Sequence, residues 1–436
     1  IAYELNRANG TRLDVTRTLD ELGVEDGATL VLVPAQEGES FEPQYESLST
    51  GLARVGRKLF TPVTPETAAA TALAILAMTV ATVVGLALHT RTRTDALMPA
   101  VITGVVGVLL AVGAGCVWRW WPARRDLVSG FGWLAAPSLA IGLAAAAPGG
   151  LSAAHLFIAA LAMAVLTCAV VMVAQRGVTL AATVVTLCAI GGLVAAARMW
   201  RPIPAQWLGM CALVLLLLLL SLGPTFALWA ARIRPPHFGS ITGRDLFRRS
   251  DGLPVDTVSP VEEDTEDEPN PDTTPRGAAI AAAAKRANGV LTGICAAAAT
   301  ALPAAVWATL MPGQPRSNAA AVLAALFVFI FVSRGRAFAD RRQAVALVIG
   351  AAVALCVGVV RYVTHAPVDS TGALLWGTIV LVAFAGFGLA AALLVPVTRF
   401  TPLVRMLAEW LELVAIVTAL PLAAWIAGLF TWVRMR

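Results

Sequence analysis

Eleven separate runs of apolar residues recur between residues 67 and 432, and each is long enough to cross a lipid bilayer. A spanning helix needs roughly 20 residues, because a rise of about 1.5 Å per residue must cover a hydrocarbon core of about 30 Å. The runs fall at about 67–89, 96–118, 128–147, 151–174, 177–197, 204–230, 287–311, 317–333, 343–363, 371–395 and 408–432. Hydrocarbon offers no hydrogen-bond partners, so each run must satisfy its own backbone by forming a helix. Composition points the same way. Only 14% of residues are charged and 58% are hydrophobic, whereas soluble domains carry roughly 25% charge. The fold class expected is membrane all-α: about eleven transmembrane helices preceded by a small, truncated α+β domain.

The net charge of +5 does not point to nucleic acid, because no basic patch interleaved with aromatics accompanies it. Its source is Arg in the loops, and short-loop charge sets the topology of a membrane protein. With the N-terminus inside, twenty-one of the Lys and Arg residues from Arg54 onward are cytoplasmic. Eight are left outside, namely Arg91, Arg93, Arg198, Arg201, Arg316, Arg361, Arg434 and Arg436. An odd number of spans then puts the C-terminus in the periplasm.

Residues 1–34 have soluble character. A strand over Ala2 to Leu5, a turn at Asn9-Gly10 and a strand over Thr11 to Val15 read as a hairpin. Thr18 can cap a short helix over Leu19 to Leu22 that Gly23 stops, and Asp26-Gly27 turns the chain into a strand from Ala28 to Val33. So short a unit cannot hold a core alone, and the first part of its domain is expected to lie upstream of Ile1. Residues 35–66 form a basic, membrane-proximal linker with Arg54, Arg57 and Lys58.

Spans one to six occupy 67–230, a cytoplasmic loop 231–286, and spans seven to eleven 287–436. The first part of the loop is basic and offers Phe238, Leu246 and Phe247 as docking points. Its second part, from Glu262 to Asp272, sets acidic residues among prolines and is expected to be disordered, having little to bury. Thr274-Pro275 supplies a helix start.

No catalytic, cofactor or metal site is legible. Gly51 to Lys58 approaches a phosphate-binding loop, but Arg57 intervenes before the lysine and no Ser or Thr follows. Gly386-Phe387-Gly388 lies mid-membrane, where small residues serve close helix approach, as do Gly104, Gly107, Gly113 and Gly115. The histidines are scattered, and His155 is expected at the interface rather than in a proton relay. Glu409 and Glu412, beside Trp410, read as headgroup-level anchors. The six cysteines read as small buried hydrophobes, and runs such as Leu215 to Leu220 as lipid-facing surface. Facilitated transport of a small solute is the alternative to a structural role, weakened by span centres without ionisable residues.

The arrangement of a soluble domain before eleven spans resembles the EccD family, the polytopic subunit of mycobacterial type VII (ESX) secretion systems. Thr18-Leu19 through Leu22-Gly23 to Asp26-Gly27 and the strand after it is similar to ubiquitin-like folds. Arg334 to Arg341, Val360-Arg361-Tyr362, Thr401 to Arg405 and Trp432 to Arg436 resemble the family's later helices and loops. The resemblance implies a non-catalytic homodimeric scaffold enclosing a lipid-filled cavity in the cell membrane. It also implies the partners EccB, EccC and EccE, with EccC supplying ATPase energy. Candidate partner contacts are Phe238, Leu246, Phe247, Arg336, Asp340 and Arg341, with Asp340 expected to pair with a neighbouring arginine or a partner subunit. A leaning toward the system linked to iron and zinc supply rests on the same resemblance.

Overall fold

The computed structural model describes residues 3–7, 13, 14, 18, 19, 21–24, 27–34, 63–232, 275–313, 316–366, 371–394 and 402–430. The chain divides into two compact units, Ile1–Ala68 and Ala69–Arg436.

In the first unit, β1 (Tyr3–Arg7) pairs antiparallel with β2 (Leu30–Pro34), with Leu5 opposite Leu32. Leu13 is buried and donates its N–H to the carbonyl of Leu5, which puts it alongside β1; the Asn9-Gly10 turn lies outside the described residues. The expected helix after Thr18 is a single turn. The Thr18 hydroxyl accepts from Glu21 N at 3.3 Å and the Glu21 carboxylate accepts from Thr18 N at 3.4 Å, the reciprocal pair of a capping box. Gly23 then enters the left-handed region at φ +64°. Arg7 locks this turn to β1 by donating to the carbonyls of Leu22 and Gly23.

The second unit carries eleven helices long and apolar enough to span a membrane among the described residues. They are α1 (Pro65–Arg93), α2 (Met98–Trp120), α3 (Arg125–Ala145), α4 (Ala153–Ala174), α5 (Val178–Trp200), α6 (Ala205–Ala230), α7 (Pro275–Thr309), α8 (Ser317–Gly335), α9 (Arg341–Thr364), α10 (Thr371–Leu394) and α11 (Pro402–Ile426). Two boundaries differ from expectation. Helix α7 begins at Pro275, so the last twelve residues assigned to the loop are helical, with Pro275 at a position where its missing N–H costs nothing. Helix α11 lies six residues nearer the N-terminus than the apolar run suggested, because the stretch from Pro402 to Leu411 has helix formers enough to extend it.

Packing runs α2 on α3, α3 on α4 and α4 on α5, after which α5, α6 and α9 all meet α7. Helix α8 then packs between α9 and α11, while α10 touches the rest chiefly through α9. Helix α7 is the hub because its faces are built of Ala and Gly: Cys295, Ala297, Ala298 and Leu302 have no exposed surface. Small residues let backbones close on one another where no water-driven force pulls helices together. A Cβ on Gly293 would stand 2.5 Å from the Thr179 carbonyl of α5, and one on Gly209 of α6 would stand 2.6 Å from Thr309 N of α7. The core beside them is filled by Phe327, Phe331, Leu213, Leu323 and Leu347.

Several residue-level expectations change here. Gly107 packs against Leu139 and Gly113 against Phe131, but a Cβ on Gly115, Gly386 or Gly388 would meet nothing within 4 Å. The latter two sit on α10, whose surface is almost wholly exposed. The run Leu215 to Leu220 is not a lipid face, since Leu216, Leu217 and Leu220 are buried in the core and Leu218 alone is half exposed. A helix shows lipid only one side. Of the cysteines, Cys295 is buried, while Cys168, Cys211 and Cys356 are exposed on the helical surface. Apolarity in a membrane does not imply an interior position, because lipid solvates a thiol-bearing side chain as readily as a core does.

His155 sits in the first turn of α4 and is buried against the protein, at 5% exposure. Its Nδ1 accepts from Ser152 N at 3.3 Å, which makes Nε2 the donor to the Ala147 carbonyl at 3.2 Å. The same α3–α4 connection captures Arg91. Its guanidinium, 3% exposed, donates to the carbonyls of Ala145, Ala147 and Gly149 and to Asp95 at 2.6 Å. This clasp holds the far end of α1, which otherwise meets α2 and α3 through Leu73 against Gly130 and a small cluster around Val80, Leu110 and Ala135. Arg91→Met is expected to lower stability by about 2 kcal/mol, since the carbonyls and Asp95 lose a charged donor. Thermal unfolding in detergent measures it.

Candidate functional site

The α8–α9 connection, where the sequence placed Arg336, Asp340 and Arg341, carries two clusters of bonded polar side chains that join it to α7 and α11. Helix α8 ends at Gly335, beyond which Arg336 N and Ala337 N return to the Ser333 and Arg334 carbonyls. Helix α9 packs closely on this end: a Cβ on Gly335 would lie 3.3 Å from Val348 and 3.4 Å from the Ala344 carbonyl.

Two clusters flank this turn. In the first, Asp340 caps α9 by accepting from Arg342 N at 2.8 Å, and its other oxygen accepts from Asn288 Nδ2 of α7 at 2.8 Å. Gln343, 2% exposed, donates from Nε2 to Asn288 Oδ1 at 2.8 Å and to Thr292 Oγ1 at 3.0 Å, and Thr292 donates to the Asn288 carbonyl. The donors of this chain, Asn288 Nδ2, Gln343 Nε2 and Thr292 Oγ1, each have an acceptor, which is what polar groups between packed helices require. The Asn288 amide, followed by the Arg342 N–H, holds the Asp340 carboxyl below the ordinary carboxylate value. A depressed folded-state value means that the cap's contribution is complete above the unfolded value near pH 4. It is lost as pH falls through the lower folded value, so the α7–α9 link is expected to be indifferent to pH from 5 to 8. Amide exchange at Arg342, followed between pH 7 and pH 3, measures this directly.

In the second cluster Glu412 of α11 is the centre. Ser333 Oγ donates to its Oε2 at 2.7 Å, and Arg334 Nε stands 2.9 Å from Oε1. The Arg334 N–H is not aligned with that oxygen, so the pair is held by charge more than by a directed hydrogen bond. Arg336 donates to Ser333 Oγ at 2.8 Å and lies 3.9 Å from the carboxylate. Glu412 is therefore no headgroup anchor. Its side chain is 17% exposed and ties α11 to the last turn of α8.

These contacts set the level of the rim. Asn288 lies at the start of α9, so the thirteen residues of α7 before it continue about 20 Å past the rim. The first ten residues of α11 project about 15 Å in the same way, beyond Glu412.

Of the residues singled out from sequence, Arg336 belongs to the Glu412 cluster and Asp340 to the Asn288 cluster, while Arg341 is exposed on the first turn of α9. Asp340 takes a side-chain amide and a backbone N–H in place of the expected arginine; no ion pair to it occurs among the described residues. Phe238, Leu246 and Phe247 lie outside the described residues. Sequence reasoning missed Asn288, Thr292, Ser333 and Gln343, and gave Glu412 another role. The available signal was that amides and hydroxyls within apolar helices need partners on neighbouring helices.

Residues 67–435 match a family model described as the EccD-like transmembrane domain. The chain is 53% identical to the ESX-2 secretion system protein eccD2 of Mycobacterium tuberculosis, a match covering 99% of this chain and 88% of that protein. It is 27% identical to the ESX-5 secretion system protein EccD5 of the same species, covering all of this chain and 86% of that one. Among solved structures, a chain of the MycP5-free ESX-5 inner membrane complex superposes with a TM-score of 0.67 at 21% identity, covering 90% of this chain and 86% of that chain. Protomer 1 of the ESX-3 core complex superposes at 0.65 and 19% identity, covering 99% and 92%.

Proposed function

Since the chain belongs to the EccD family, whose transmembrane domain it matches over residues 67–435, we propose that it is the non-catalytic membrane scaffold of an ESX-2-like type VII secretion complex. It is a multi-pass inner-membrane protein. In this reading two copies pair around a lipid-lined space, the N-terminus and the α8–α9 rim face the cytoplasm, and export is driven by a partner ATPase. EccB, EccC and EccE are the partners. Identity to the eccD2 protein supports an ESX-2-like system in place of the iron- and zinc-linked one.

The observation that carries the scaffold reading over a solute facilitator is how the charges inside the bundle are used. Arg91 and the Arg334–Glu412 pair each sit in fixed clasps at helix ends. Such clasps hold helices in register; a coupled transporter needs ionisable groups along an internal path. The orientation is supported by the arginines left outside, since Arg91 is satisfied within the protein and Arg316 and Arg361 lie over Trp425 and Trp307. The α+β unit at residues 1–34 is proposed to be the end of a ubiquitin-like domain, in keeping with its antiparallel pair and capped turn.

Partner contacts are proposed at Phe238, Leu246 and Phe247 and at Arg336, Asp340 and Arg341. Arg341 and Arg342 occupy a helix N-terminus, where the macrodipole disfavours cations, and an acidic partner surface would offset that cost. Asp340→Lys is expected to remove both the cap and the Asn288 bond, and so to lower the yield of assembled complex on a native gel. Full assembly with the lysine in place would remove this residue from the interface.

Gentle detergent purification through a tag on the full chain tests the whole reading. An FtsK-type ATPase and a single-span partner are expected to co-purify. A lone monomer that moves a small solute across vesicles would replace the scaffold with a facilitator.

A further inference from the structure

A crevice enters the second half of the bundle from the end opposite the α8–α9 rim. Its inner part, about 320 Å³, is walled by Val306 and Leu310 of α7, Ala321, Ala325 and Val328 of α8, Ala354 and Val359 of α9, and Trp376 and Val380 of α10. Its mouth, about 430 Å³, is lined by Ser317, Tyr362, His365 and Gly372, and the two parts share Tyr362 and Trp376. From Ser317 to Val328 along α8, and from His365 to Ala354 along α9, the crevice runs about 15 Å deep. That is half the thickness of a hydrocarbon core, the depth of one leaflet.

The chemistry changes along this depth. The inner walls are apolar apart from the polar ends of Asn318, Tyr362 and Trp376, and the stretch from Ala321 to Val328 facing Ala354 and Val380 offers water no side-chain partner. Beside the mouth, behind its lining residue His365, stands a cation. Arg361 donates from Nη1 to His365 Nε2 at 2.8 Å, and His365 Nδ1 in turn donates to the Arg361 carbonyl. The guanidinium stacks over the Trp307 ring at 4.6 Å, which fixes its position without neutralising it. The wall formed by α10 has little protein behind it: α10 packs on α9 and reaches the core through Phe384, and most of its remaining surface is exposed.

We propose that this crevice binds one glycerophospholipid, with an acyl chain between α8 and α10 and the phosphate at the Arg361–His365 pair. A chain of one leaflet's length fills the apolar depth and adds dispersion contact between α10 and the core beyond that made by Phe384. The site lies within a single chain and does not depend on how copies pair.

The test uses the full chain purified from membranes, washed extensively in detergent and weighed by native mass spectrometry. A second arm reconstitutes it with a phosphatidylglycerol bearing a mid-chain diazirine and maps the photolabel. The expected result is one phospholipid retained per chain, with label on the stretches 321–328 and 354–359. Ala325→Trp and Val380→Trp, which enter the crevice from opposite walls, each lower retained lipid at least five-fold, while Leu389→Trp on the exposed face of α10 leaves it unchanged. Arg361→Gln lowers retention without moving the label. No retained lipid in the parent chain overturns the proposal, as does retention unaffected by both crevice tryptophans in variants that elute and melt like the parent.

Discussion

Gly350→Leu is expected to cost about 3 kcal/mol or more, enough to separate α9 from α7 in detergent. Even a Cβ at this position would stand 2.6 Å from Ala299 Cβ and 2.7 Å from the Ala299 carbonyl oxygen. The obstacle is backbone and a methyl group bound directly to it, neither of which can rotate away. The helices would have to move apart, and moving α9 also strains the Asp340–Asn288–Gln343 chain at its start. The matched control is Gly386→Leu, also in mid-helix and in the same half of the bundle, where the added side chain meets open space. It is expected to stay within about 0.5 kcal/mol of the parent. Tryptophan-fluorescence melting of both variants decides the matter. Equal melting would mean that the α7–α9 contact does not organise the bundle.

The second large effect is expected at Glu412. Removing it by Glu412→Leu leaves the Arg334 guanidinium, 27% exposed, without its counter-charge and the Ser333 hydroxyl without its acceptor. The expected loss is about 2–3 kcal/mol, below the figure for a fully buried pair because water still reaches part of both groups. Adding Arg334→Leu should recover most of it, since two apolar side chains there leave no orphaned charge. A double-mutant cycle by thermal unfolding separates the pair from its surroundings. Strictly additive losses would show that the carboxylate acts alone, and the clasp between α8 and α11 would lose its energetic basis.

Both predictions concern features that a linear reading handled poorly, for one reason. Span length and hydropathy report how much of a helix is apolar, but not which side of it meets protein. Gly350 and Gly386 read alike as small residues in apolar runs; one lies against Ala299 and the other faces outward. Leu216 and Leu218 are two residues apart, and one is core while the other is half exposed. In a soluble protein the hydrophobic pattern separates the two faces. In a bilayer both faces are apolar, and the signal vanishes.

The polar residues were partly legible. The α8–α9 turn was singled out from its charges, and Asp340 was expected to pair with a neighbouring arginine or a partner subunit. Its partner proved to be Asn288, fifty-two positions earlier. Charge made Arg334, Arg336 and Glu412 visible, yet only the packing of α11 on α8 brought them into one cluster.

The sequence by itself determined that this chain is a membrane protein of eleven helices with an α+β segment before them, and its motifs carried the resemblance to EccD. Those conclusions rest on length, composition and spacing, which are properties of a chain in one dimension. Only the tertiary structure decided that α7 is the hub, that Glu412 is a clasp and that a crevice of one leaflet's depth opens beside α10. Each of these depends on which helices become neighbours, and in lipid that choice is made by close packing and paired polar atoms rather than by the hydrophobic pattern a sequence displays.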